Sequence, residues 1–124
     1  MDRAVLLFAH GSRDPSWAAP LHRLKEVLQA RLPGQRIELS FLELMHPTFD
    51  EAADSIAASH DCVVSVVPLF LAPGAHIRAD LPALISAART RHPGLDFRVL
   101  PSLGDAPELI EAIAAWIART QESE

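Results

Sequence analysis

The sequence predicts an α/β domain: a four-stranded parallel sheet with helices on both faces, in the order βαβαβαβα. Three observations carry this. Four short apolar runs alternate with four stretches whose apolar residues recur at helical spacing. Two of those runs, residues 4–9 and 62–69, are apolar almost throughout, as parallel strands covered on both faces are. Proline and glycine punctuate the chain where helices should stop, at Pro33-Gly34 and Pro93-Gly94.

Each element has its own local reason. Residues 4–9 form the first strand, and Asp14 followed by Pro15 then gives a helix cap with proline at the first helical position. Trp17, Leu21, Leu24 and Leu28 continue as a stripe until Pro33-Gly34. After a second strand over 37–42, Thr48 with Glu51 makes a capping box ahead of Phe49, Ala52, Ala53 and Ile56. The third strand covers 62–69. Its helix carries Leu81, Leu84, Ile85 and Ala88, and ends at His92-Pro93-Gly94. A fourth strand over 97–100 precedes a helix opened by Asp105 with Glu108, whose stripe is Leu109, Ile113, Trp116 and Ile117. Strands one and three should be central, with right-handed crossovers between neighbours. So small a sheet exposes its edges, and pairing with a second copy would cover them.

Composition narrows the function. The chain has 124 residues, 49% of them apolar, and reads as one domain over residues 1–124 without repeat or linker. A formal charge of −5 argues against a nucleic-acid or membrane-surface binder, which needs a basic face. Cys62 is the single cysteine, so no internal disulfide forms, and its place at the start of an apolar run suits a small buried hydrophobe. The apolar run at 4–9 is too short for a signal peptide or a membrane span, and the expected location is the cytoplasm.

The chemistry gathers at the ends of the apolar runs. His10 follows the first strand, and His76 is delivered by a Pro/Gly-rich loop, residues 68–76, after the third. In an open parallel sheet both would emerge at the carboxyl edge, where such folds bind ligands. Glu43 ends the second run, and a strand order of 2-1-3 brings it to the same edge. Two imidazoles and a carboxylate suit a borderline divalent ion: cobalt, nickel, iron or zinc. Gly11 allows a sharp turn, while Ser12 and Arg13 offer a hydroxyl and a positive charge to an anionic ligand. Singly, each residue has an ordinary structural reading; their convergence is what points to function. His46 is a candidate fourth ligand, although Pro47 and the capping box directly after it favour a structural place. His22, His60 and His92 read as solvated. Neither a phosphate-binding loop nor a dinucleotide fingerprint is present, so the reaction should run without nucleotide.

These residues resemble a known family. The strand ending His10-Gly11-Ser12-Arg13, the Phe41-Leu42-Glu43 strand end, and the loop Pro68-Leu69-Phe70-Leu71-Ala72-Pro73-Gly74-Ala75-His76 running into Ile77-Arg78 are similar to the short class II chelatases. That is the sirohydrochlorin cobaltochelatase and ferrochelatase (CbiX/SirB-like) group, and the resemblance spans nearly the whole chain. It implies a chelatase-like fold and insertion of a divalent metal, as substrate, into a tetrapyrrole in cobalamin or siroheme biosynthesis. It also implies a homodimer, with His10 and His76 as the metal-binding and proton-accepting pair and Glu43 assisting.

The residues suit that chemistry. Metallation removes two pyrrole protons, and neutral imidazole, with a reference pKa of ~6.5, can both ligate and accept them. The ring would lie against Phe70, Leu71 and Ala72, and Arg13 and Arg78 would answer the carboxylates of an anionic substrate on an acidic chain. Two other functions compete. A non-catalytic metal or tetrapyrrole carrier would use the same residues; a histidine phosphatase would need arginine before His-Gly, where Ala9 stands.

Overall fold

The structure, a computed structural model, describes residues 2–72 and 74–122, with the His76 side chain outside the described set. Strands β1 (Arg3–Ala9), β2 (Arg36–Phe41), β3 (Cys62–Pro68) and β4 (Leu95–Val99) alternate with helices α1 (Ala19–Arg31), α2 (Phe49–Ser59), α3 (Ala75–Arg91) and α4 (Pro107–Glu122). The sheet is fully parallel in the order β2-β1-β3-β4. Both central strands are the two almost wholly apolar runs, as doubly covered strands should be. Among the described residues no helix is long and apolar enough to cross a membrane.

Alternation along the strands divides the core. Leu6, Phe8, Val64 and Val66 face α2 and α3, where Phe49, Ile56, Ile77, Leu81 and Ile85 meet them. Leu7, Ala9, Ile37, Leu39 and Phe41 line the opposite face under α1. Cys62 is buried and free, and burial first, then the nearby Asp2 and Asp61 carboxylates, push its thiol pKa up. It stays a thiol at neutral pH.

Local signals act as expected at some helix ends and not at others. Thr48 and Glu51 form both halves of the capping box on α2. Asp14 caps a short 3-10 turn (Pro15–Ala18), after which α1 begins. The fourth strand starts two residues earlier than the apolar run suggested, because Leu95 pairs with Cys62 in the parallel register. Asp105 is not the cap of α4: it closes a second 3-10 turn (Leu103–Asp105), and Ala106 stands extended before Pro107. Proline imposes that extended conformation on the residue before it and fits the first helical position itself.

Candidate functional site at the carboxyl edge

Strands β1 and β2 end level, with Ala9 opposite Phe41. Their ladder does not stop there. The Leu42 amide donates to the Ala9 carbonyl at 2.8 Å, and the Glu43 amide donates to the His10 carbonyl at 3.1 Å. Backbone pairing therefore carries Glu43 and His10 past the strand ends side by side. Gly11 makes the close approach possible: at φ +99°, a Cβ there would lie 1.8 Å from the Glu43 carbonyl oxygen. Only glycine fits that backbone and that gap.

On the other flank, the Leu69 amide donates to the Phe8 carbonyl at 2.8 Å and brings Phe70 behind His10. The imidazole meets the Phe70 ring edge to face, centroids 5.1 Å apart at 78°. Phe70 in turn packs edge to face on Phe8, at 5.8 Å. His10 is thus an exposed ring seated on a buried aromatic pair. Phe70, only 6% exposed, supports the imidazole and offers no open surface to a ligand, unlike the exposed Leu71 and Ala72 beside it.

Glu43, Arg13 and Arg78 are exposed, and neither arginine makes an ion pair with a described residue. Ser12 is half-buried; its hydroxyl oxygen accepts from the Asp14 amide at 3.1 Å. Asp14 accepts from the Ser16 hydroxyl and amide, and these bonds hold its carboxyl below the ordinary range. The His76 backbone lies in the first turn of α3, after the extended Gly74, while its side chain is outside the described residues. A cleft of about 380 Å³ runs between α3 and the end of β4, lined by Pro68, Arg78, Leu81, Ile85, Val99 and Ser102. It includes neither His10 nor Glu43.

His46 goes elsewhere. Its Nδ1 lies 2.6 Å from Glu51 Oε1, in the cap of α2. Among the described residues no group of three or more His, Cys, Asp or Glu side chains is gathered to hold a metal ion. His60 and His92, expected to be solvated, are paired with Asp2 at 3.2 Å and Asp54 at 2.6 Å. Sequence reasoning passed over Leu44, whose φ of +66° is the one positive value at a non-glycine among the described residues.

Comparison with known proteins points one way. The CbiX family model matches residues 4–120. A sirohydrochlorin cobaltochelatase of Methanopyrus kandleri is 35% identical over 82 residues, covering 66% of this chain and 57% of that protein. A sirohydrochlorin ferrochelatase of Bacillus subtilis is 28% identical over 113 residues, covering 91% of this chain and 43% of the relative. The chain thus spans about half the length of these relatives. The crystal structure of a CbiX protein from Marinobacter aquaeolei superposes with a TM-score of 0.83 at 30% identity, over 98% of this chain and 99% of that one. The sirohydrochlorin chelatase SirB of Bacillus subtilis, in complex with cobalt, superposes at 0.81 with 28% identity, over 96% of this chain and 51% of that one.

Proposed function

This chain belongs to the CbiX family, and on that premise we propose that it inserts a divalent metal, cobalt foremost, into sirohydrochlorin without a nucleotide. The observation that carries the reading is the backbone pairing that sets Glu43 beside His10 at the carboxyl edge, with the imidazole backed by Phe70. In this reading the dication is substrate, met by His10, His76 and Glu43. As it enters the ring two pyrrole N–H protons leave, and the imidazoles accept them. Ser12, Arg13 and Arg78 bind the peripheral carboxylates, and Leu71 and Ala72 meet the macrocycle. Iron and nickel are the other candidate metals, and relatives named for cobalt and for iron both match. The reaction would take place in the cytoplasm, on a homodimer whose two copies share the cleft.

The test is absorbance of metal-free sirohydrochlorin with cobalt(II), and separately with iron(II), with and without protein. Acceleration over the uncatalysed rate is expected. His10→Ala, Glu43→Gln and His76→Ala should each lower the rate by ~10²-fold, the usual loss of a positioned base, with circular dichroism unchanged. Binding of both substrates with no acceleration would sink the enzyme reading in favour of a carrier.

A further inference from the structure

We propose that Leu44 is a substrate-contact residue, held in a left-handed backbone conformation so that its apolar side chain meets the tetrapyrrole beside Glu43. The inference rests on the chelatase reading and adds a residue to it.

Two unfavourable features coincide at this position. The φ of +66° is a conformation that glycine or asparagine adopts readily and leucine does not. The side chain it carries is also 56% exposed to water. Burial therefore does not reward the choice of leucine, and the backbone opposes it. Strained residues of this kind persist where the surroundings over-determine them, and they gather at functional sites.

The residues on either side of Leu44 are held on both flanks. Phe41 donates to the Pro47 carbonyl at 3.0 Å and pairs with Thr48, closing the base of the loop that leads from β2 to α2. Within that closed loop the Glu43 amide is fixed to His10 at 3.1 Å, and the Glu43 carbonyl abuts Gly11. Leu44 comes next, so the constraints that set the Glu43 backbone also bear on that of the leucine. Across the edge, Leu71 is 63% exposed on a loop pinned by the Gly104 amide, which donates to the Leu71 carbonyl at 2.8 Å. Two open leucines thus stand on the two loops that flank His10. A flat, largely apolar macrocycle with anionic arms is a ligand that such a pair can grip while arginines take its rim.

Three variants separate contact from scaffold. Leu44→Gly and Leu44→Asn suit the left-handed backbone but lack an apolar side chain, whereas Leu44→Met keeps one. Titrate wild type first with metal-free sirohydrochlorin by fluorescence quenching. Both Gly and Asn variants should denature in urea no earlier than wild type, yet bind with Kd raised by about 5-fold or more, as loss of an apolar contact gives. Their KM should rise in step while kcat stays within about twofold, the pattern of lost uniform binding. Leu44→Met should bind within about twofold of wild type. Wild-type affinity in both the Gly and Asn variants overturns the assignment, and so does a changed oligomeric mass in light scattering. Failure of wild type itself to bind sirohydrochlorin overturns the chelatase reading and this inference with it.

Discussion

At Gly11 an added methyl group would have to displace the Glu43 carbonyl, 1.8 Å away, and would sit on backbone at φ +99°. Both problems bear on the same strand ends, so Gly11→Ala should lose stability and site geometry together. A destabilisation of about 1–3 kcal/mol is expected from the strained backbone alone, read as an earlier urea midpoint. Metal insertion should fall further than that loss predicts, because Glu43 moves relative to His10. An unaltered insertion rate in a folded Gly11→Ala protein would refute that coupling. A second residue contributes to stability on the acid side. The Asp54 carboxyl is held below its ordinary pKa, first by the His92 ring nitrogen and then by Arg91, which tie α2 to the end of α3. A carboxyl whose pKa is lower folded than unfolded stabilises above the unfolded value, and that contribution disappears as pH falls through the folded one. Stability should therefore drop on acidification below the ordinary carboxylate range, and Asp54→Asn should make that limb shallower. Urea midpoints measured down through that range test the slope; an Asn variant with the wild-type limb counts against it.

Among the elements, α2 is the one whose beginning was fully legible in sequence, because its signal is local. Thr48 and Glu51 need only each other, and the Glu51 carboxylate is held below its usual range first by the Thr48 amide and then by His46. Thr48→Ala should cost ~1 kcal/mol, measurable as a shifted urea midpoint, and a neutral result would mean that tertiary packing alone starts α2. The strand order was also legible, since two runs apolar throughout had to be central, and it placed His10 and Glu43 at adjoining strand ends. What the sequence hid depends on backbone geometry that no pattern encodes. The left-handed Leu44 looks like any other leucine, and Phe70 looks like a loop residue although it lies buried between His10 and Phe8. The start of α4 was misread because Asp105 and Glu108 have capping-box spacing, while Pro107 settles the boundary instead.

For the whole molecule the element that departs from its own pattern is α4. Its stripe of apolar residues is the pattern of a core-facing helix, yet Leu109, Ile110, Ile113, Trp116 and Ile117 are 39% to 61% exposed and the helix buries no residue. The α1 face of the same sheet carries an open groove of about 560 Å³ walled by Val5, Leu7, Leu28, Val67, Leu69 and, from the first turn of α4 itself, Leu109. Leu109 already edges that groove, so the expectation for a two-fold pair is that each copy sets the open stripe beyond it, Ile113, Trp116 and Ile117, against the other copy's apolar face. Removing large apolar side chains from water favours association, and against it stands the loss of independent motion, so the oligomeric state is the measurement that decides. Wild type should scatter light as a dimer of twice 13.5 kDa at micromolar concentration. Ile113→Glu and Trp116→Glu, which would set a charge between the copies, should give monomers with unchanged strand and helix content. If the two copies together form the cleft, those monomers should also lose metal insertion even though His10 and Glu43 remain paired within each copy. A monomeric wild type would refute that pairing, and a monomeric variant inserting metal at the wild-type rate would confine the cleft to one chain.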